Sequence, residues 1–206
     1  MVRSLLLACL LPLVFSFVVN SATEKQDVRD GKLLYRGFVV DVSQVQSRSD
    51  FSAIETYAKQ QLDIVADCGA KPDILAFFRA QPITLQPGIG HGGGFAGPDR
   101  GVIVDPTPQS AEKPIFLHEL LHMFHFRMLP DGKANPDVLM YYRHARSAQL
   151  YPANAYVLKN PPEFFAVTAS LYLFGQVARP PYTRANLKSA QPYYYSWLGQ
   201  LFGVVK

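Results

Sequence analysis

Two histidines and a glutamate in the sequence have the spacing used by zinc-dependent hydrolases. His118, Glu119 and His122 form an H-E-x-x-H pattern inside an apolar, helix-like stretch. Residues four apart lie on one face of a helix, so both imidazoles can bind one metal ion. Glu119 projects to the side, where it can act on a water molecule instead of binding the metal. The pattern therefore predicts a zinc site with a glutamate as general base.

Zinc needs a third protein ligand, and three residues are candidates. His125 shares the helical face of His118, but ligands on three successive turns of one helix would surround a metal poorly. His144 lies 22 residues after His122, in the middle of a predicted helix. Glu163 begins a later predicted helix among bulky apolar residues, where a carboxylate needs a counter-charge. We predict Glu163 as the ligand; the alternative is a helix-start glutamate that only interacts with the helix dipole.

The two motifs together resemble a known group of metallopeptidases. The pattern at 118–122 and the sequence N-P-P-E-F-F-A at 160–166 are similar to those of gluzincins with an E-F-F-A ligand helix. This group includes the catalytic domain of anthrax lethal factor, the Pro-Pro endopeptidases and Mlc titration factor A. The resemblance covers about residues 80–180. It implies a zincin-like fold, one Zn²⁺ held by His118, His122 and Glu163, and peptide hydrolysis through a metal-activated water.

The resemblance also implies a catalytic role for one tyrosine. In these peptidases a tyrosine seven residues before the ligand glutamate stabilises the tetrahedral intermediate, and this position is Tyr156 here. The alternative is an ordinary tyrosine, since nine of the eleven tyrosines lie after residue 140. Thermolysin-type gluzincins place an aspartate four residues after the ligand glutamate, whereas this chain has Val167. The residues that orient the zinc histidines are therefore not predicted.

A glycine-rich segment ahead of the zinc helix is the candidate substrate-binding region. Residues 88–97 contain six glycines. In one interpretation Gly93 and Gly94 line the cleft, and a substrate backbone pairs with an edge strand at Val102 and Val104. The resemblance also implies a cleft-edge strand at this position. A plain hairpin connection is an equally good interpretation.

These residues need a scaffold, and the apolar periodicity predicts one. Strands are expected at 33–42, 83–85 and 101–105. Helices are expected at 51–65, 72–78, 115–128, 136–150, 163–175 and 192–202. Because strands come first and helices later, we predict an α+β fold, not alternating βαβ units. In this fold a small N-terminal mixed sheet precedes a helical half that carries the zinc ligands.

The first 21 residues have the features of a secretory signal peptide. Arg3 precedes an apolar stretch at 5–19, and small residues precede Ala22. An uncleaved membrane anchor is the alternative, but the apolar run is short for a bilayer span. A lipid anchor at Cys9 is not expected, because most of the apolar run follows this residue. We predict that residues 22–206 form one secreted or periplasmic metallopeptidase domain without stable membrane insertion.

The composition and the net charge indicate a globular domain and argue against a nucleic-acid partner. The 206 residues are 49% hydrophobic and 17% charged, as in a globular domain with a sizeable core. A net charge of +4 without a basic run excludes a nucleic-acid partner. Cys68 is the single cysteine after residue 21, which excludes an internal disulfide there.

We predict a monomeric zinc endopeptidase that acts on a peptide or protein substrate. The alternatives are a zinc amidase that acts on a non-protein amide, such as one in cell-wall peptide, and a non-catalytic zinc-binding relative. The sequence does not indicate the cleavage-site preference. It also leaves open the roles of His91, His125 and His144.

Overall fold

A mixed sheet followed by helices makes up the described part of this computed structural model, residues 27–90, 92–97, 100–110 and 112–203, with the backbone alone at 95–97. The six strands found there are β1 (Val28–Arg29), β2 (Lys32–Tyr35), β3 (Phe38–Asp41), β4 (Ile83–Leu85), β5 (Gly93–Gly97) and β6 (Gly101–Val104). The α-helices are α1 (Phe51–Ala66), α2 (Pro72–Arg79), α3 (Ile115–Met128), α4 (Pro136–Ser147), α5 (Pro161–Phe174), α6 (Arg184–Ala190) and α7 (Pro192–Phe202). No helix among these residues is long and apolar enough to cross a membrane. The predicted signal peptide lies outside the described residues.

The sheet has the strand order β1-β2-β3-β4-β6-β5. β1, β2 and β3 are antiparallel neighbours, whereas β3, β4 and β6 run parallel. β5 pairs antiparallel with β6 and ends the sheet. The helices α1 and α2 connect the parallel strands β3 and β4, and most other helices follow the sheet in sequence. This arrangement confirms the predicted α+β class with a small N-terminal mixed sheet and a helical C-terminal half.

The single strand predicted at 33–42 is a hairpin. β2 and β3 are joined by Arg36 and Gly37, whose φ angles of 49° and 83° suit a tight two-residue turn. Leu33 and Phe38 are buried on either side of the turn, so the apolar pattern continues through it. Gly37 is the residue in the sequence that indicates a turn within 33–42.

The central helix α3 packs against the sheet on one side and α5 on the other. It contacts β5, β6, α1 and α5. Its side chains Phe116, Leu120 and Phe124 are almost completely buried. Each such side chain contributes about 1.5–3 kcal/mol when removed from water. The helix that carries the H-E-x-x-H pattern is therefore held from several sides.

The other predicted elements agree with the structure except at their ends. The helix α3 has the predicted bounds, but α4 ends at Ser147 and not at residue 150. The strands β1 and β5 and the helix α6 were not predicted. α6 has only seven residues, so its apolar periodicity is too short to recognise in the sequence.

Candidate metal centre

The three predicted ligands lie on the two helices at the middle of the helical half. His118 and His122 occupy successive turns of α3. Glu163 lies in the first turn of α5, which begins with two prolines. The side chain of Asn160 accepts a hydrogen bond of 2.9 Å from the backbone N–H of Glu163 and caps this helix. The sequence at the start of α5 thus places a carboxylate beside α3.

The ligand atoms have the separations that a tetrahedral metal requires. Nε2 of His118 lies 3.1 Å from Nε2 of His122, and Oε2 of Glu163 lies 3.2 Å from the first and 3.4 Å from the second. Bonds of about 2.0–2.1 Å to the corners of a tetrahedron place neighbouring ligand atoms about 3.3 Å apart. Two imidazoles and one carboxylate are also a typical ligand set for catalytic zinc. The residues present therefore fit a zinc ion.

The surroundings favour the protonation states that bind a metal. Burial lowers the pKa of His118, although the neighbouring carboxylate opposes this shift. Burial alone would raise the pKa of Glu163, but hydrogen bonds from His118 and His122 outweigh it and lower the pKa. The site thus combines a neutral imidazole with an anionic carboxylate, and metal binding needs both to be deprotonated.

Glu119 lies directly under the glycine-rich strand β5. Only 6% of this residue is exposed. A Cβ atom at Gly93 would lie 2.7 Å from Cγ and 2.8 Å from Oε1 of Glu119, which is closer than real Cβ atoms approach. Burial, and then the charge of Glu163, raise the pKa of Glu119 to about 8. The strand and the glutamate can occupy these positions because residue 93 has no side chain.

Tyr156 reaches the same site from the turn ahead of α5. It begins the 3-10 helix Tyr156–Leu158, and its hydroxyl interacts with the carboxylate of Glu163. Two cations lie close to the ring, with Nζ of Lys159 5.1 Å and Cζ of Arg179 4.2 Å from its centroid. Burial, followed by Glu163, raises the pKa of Tyr156 to about 12. At neutral pH the hydroxyl is therefore protonated and able to donate a hydrogen bond.

His118, Glu119, Tyr156 and Glu163 line one cleft of about 400 Å³, and His122 lies next to it beside His118 and Glu163. Its walls come from the start of β5, from α3 and α5, from residues 112–114 and from residues 177–179. No motif in the sequence indicated that residues 112–114 and 177–179 would line the cleft. Pro180 and Pro181 mark the end of the second segment, but they indicate a break in structure and not a position in the cleft.

Two of the predicted substrate contacts need correction. The edge strand was expected at Val102 and Val104, but β6 is paired on both sides and both side chains are fully buried. The outermost strand beside the cleft is β5. It contains residues 93–97 of the glycine-rich segment and pairs antiparallel with β6. Gly93 lines the cleft, whereas Gly94 does not. Substrate contact at these two glycines stays a prediction.

The remaining histidines lie apart from this cluster. His125 is 1% exposed, its ring centroid lies 4.8 Å from that of Phe165, and burial lowers its pKa to about 4. Its ring nitrogens have no hydrogen-bond partner among the described residues. His144 is exposed on α4, and His91 lies outside the described residues. Of the three candidates, only Glu163 meets the two histidines of the motif.

Comparison with known proteins adds a local similarity. No family model matches the chain. Over 86 residues, 42% of this chain, the sequence is 30% identical to a Pro-Pro endopeptidase from Paenibacillus alvei. Part of this chain is thus similar to a peptidase. The matched segment spans 37% of that relative's length.

A solved structure of a Pro-Pro endopeptidase from the same organism also resembles the chain. The match has a TM-score of 0.48 at 21% identity and covers 76% of this chain and 92% of that structure. At this level of similarity, the fold and the site described above rest on the chain's own geometry.

Proposed function

We propose that the protein is a zinc-dependent endopeptidase. The observation that carries the proposal is the cluster of two histidines and one carboxylate at a cleft that is also lined by a second, buried glutamate. The local similarity to a Pro-Pro endopeptidase supports peptide bonds as the target. Because that relative is called a Pro-Pro endopeptidase, peptides that contain adjacent prolines are the first substrates to test.

His118, His122 and Glu163 would hold the zinc ion. When bound, zinc supplies a Lewis acid that polarises the scissile carbonyl and acidifies the attacking water. Glu119 accepts the proton of this water and later donates it to the leaving amine. A carboxyl group with a raised pKa suits both transfers, and a cation bound beside it would lower this pKa from the value in the metal-free chain.

Tyr156 would stabilise the oxyanion of the tetrahedral intermediate. Its hydroxyl faces the ligand carboxylate in the cleft and remains protonated at neutral pH. One such hydrogen-bond donor is worth about 3–4 kcal/mol in the transition state.

We also propose that the protein acts outside the cytoplasm after cleavage near residue 21. The supporting observation is the arrangement of a basic start, a 15-residue apolar run and small residues before Ala22. The N-terminal sequence of the exported protein tests this proposal.

The catalytic proposal is tested by metal analysis together with cleavage of a peptide library. We expect about one zinc per purified chain and hydrolysis by the wild type. Glu119→Gln should retain zinc and lose hydrolysis, because the amide cannot accept the proton. A folded wild-type chain that binds no zinc, or unchanged hydrolysis by Glu119→Gln, would contradict the proposal.

Tyr156→Phe tests the proposed oxyanion contact. The variant keeps the ring beside its two cations and removes only the hydroxyl. We expect kcat to fall about 10²–10³-fold with an unchanged zinc content. Tyr193→Phe is the matched control, since Tyr193 is 83% exposed. An unchanged kcat in Tyr156→Phe would remove this residue from the mechanism.

A further inference from the structure

One cation beside the candidate metal centre has no acidic partner within ion-pair distance among the described residues. Arg179 lines the cleft, and its guanidinium lies over the ring of Tyr156 with Cζ 4.2 Å from the ring centroid. None of the ion pairs among the described residues includes its guanidinium. The charge nevertheless acts on the site, because it contributes to the lowered pKa of His118 after burial and the neighbouring side chains. Arg179 is therefore close to the position where a peptide would react.

Backbone hydrogen bonds hold the chain in place before and after Arg179. Gln176 and Thr183 form an isolated β-bridge, and within it the carbonyl of Arg179 accepts a hydrogen bond of 2.8 Å from the N–H of Tyr182. The N–H of Ala178 donates a 3.3 Å hydrogen bond to the carbonyl of Glu112, in the neighbouring segment of the cleft lining. A side chain that is positioned before binding loses less conformational entropy when a ligand arrives.

The other cations of the cleft are already engaged. Lys113 donates a hydrogen bond of 3.2 Å to Gln109. Nζ of Lys159 lies 3.8 Å from Oε1 of Glu163, one turn away on α5. Outside the metal-binding and general-base residues, Glu112 is the single acidic residue of the lining that the structure describes. Arg179 is thus the cleft cation best placed to bind an external anion.

A guanidinium that lies over a ring keeps its edges available. The N–H groups point outward in the plane of the group, with a spacing that matches the two oxygens of a carboxylate. We propose that Arg179 binds a carboxylate of the substrate, so that the cleft prefers peptides with an acidic group near the scissile bond. This inference rests on the proposed peptidase function. The carboxylate can belong to an Asp or Glu side chain or to the C-terminus of the peptide.

Binding of matched peptides to the zinc-containing chain tests this inference and distinguishes the two sources. One pair of peptides exchanges Asp or Glu for Asn or Gln, and a second pair exchanges a free C-terminus for an amide. We expect the acidic member of one pair to bind about tenfold or more tightly, as for a hydrogen-bonded charge pair. Equal affinities within both pairs would overturn the proposal.

Variants of the two cations that lie close to Tyr156 identify the residue responsible. Arg179→Gln should abolish the preference, and Arg179→Glu should reverse it in favour of basic peptides. Lys159→Gln is the matched control and should retain the preference, because its ammonium group already faces Glu163. A preference that persists in Arg179→Gln would mean that the carboxylate binds elsewhere, for example at the metal, and would overturn the proposal.

Kinetic measurements distinguish two roles of Arg179, binding of the substrate and positioning of the Tyr156 ring. If Arg179 binds the substrate, Arg179→Gln raises KM for acidic peptides and leaves neutral peptides unchanged. If Arg179 only holds the tyrosine ring, kcat falls equally for both peptides, which contradicts the proposal. A chain that hydrolyses no peptide would contradict the proposed function, while the binding ratios would still decide the role of Arg179.

Discussion

At the scale of single residues, the position of Glu119, the proposed general base, depends on a neighbour without a side chain. Gly93 belongs to β5 and Glu119 belongs to α3, so the sheet and this helix approach each other closely at these two residues. The H-E-x-x-H pattern predicted the role of Glu119 but not this contact. The reason is that the two residues are 26 positions apart and meet only in the folded chain.

Gly93→Ala should impair catalysis without removing the metal. The added Cβ would lie 2.7 Å from Cγ of Glu119, so the carboxyl group or the strand must move. A displacement of about 1 Å in a reacting group can cost about 10²-fold in rate. We expect a loss of this order in kcat/KM, measured with a peptide that the wild type cleaves, at an unchanged zinc content.

Gly94→Ala is the matched control for this substitution. A Cβ at residue 94 would find its nearest heavy atom, Cγ1 of Ile103, at an ordinary distance of 3.7 Å. Its kcat/KM should stay close to that of the wild type. Equal losses in the two variants would mean that β5 itself, and not the contact with Glu119, is sensitive to substitution.

At the scale of elements, the site is built where α3 meets α5. α3 carries the proposed ligands His118 and His122 on successive turns, and α5 carries the proposed ligand Glu163 in its first turn. The position of Glu163 therefore depends on where α5 begins. Asn160 and the two prolines that follow it define this start through a side-chain cap and a restricted backbone.

Asn160→Ala should weaken zinc binding as well as stability. Loss of the cap costs about 1 kcal/mol and frees the turn that holds Glu163. We expect a similar decrease in the free energy of unfolding in urea, together with a lower zinc affinity in competition with a chelator.

Asn135→Ala provides the matched control. Asn135 caps α4 by accepting a hydrogen bond of 3.0 Å from the N–H of Val138, in a helix that carries no predicted ligand. Its substitution should lower stability by a comparable amount and leave zinc affinity unchanged. If both variants lose zinc affinity equally, general destabilisation explains the effect and the cap of α5 has no special role.

At the scale of the whole molecule, a bound metal would connect two helices whose first residues, Ile115 and Pro161, are 46 positions apart in the chain. α3 packs between the sheet and α5. A zinc ion bound to both helices would therefore connect α5 to the helix that packs on the sheet. A ligand that binds the folded chain and not the unfolded one stabilises the fold by mass action.

Removal of the metal should therefore lower the melting temperature. At a free zinc concentration about 1,000 times Kd, the stabilisation is about 4 kcal/mol. We expect a chelator to lower Tm, measured by calorimetry, and added zinc to restore it. Glu163→Ala should lose this response because one ligand is missing, whereas Glu112→Ala, a change in the same cleft, should retain it. A Tm that is indifferent to zinc in the wild type would contradict the proposed metal centre.

The sequence by itself determined the features that depend on short spacings. Helical periodicity aligns His118 with His122, and the Asn160 cap with its prolines places Glu163 in a first turn, because both effects act within one or two turns. Only the tertiary structure decided which residues from distant parts of the chain contact each other. It made β5 the outermost strand in place of Val102 and Val104, brought Arg179 onto Tyr156, and set the ligand separations near 3.3 Å. Strand partners and cleft walls depend on contacts between distant segments, and no local pattern specifies them.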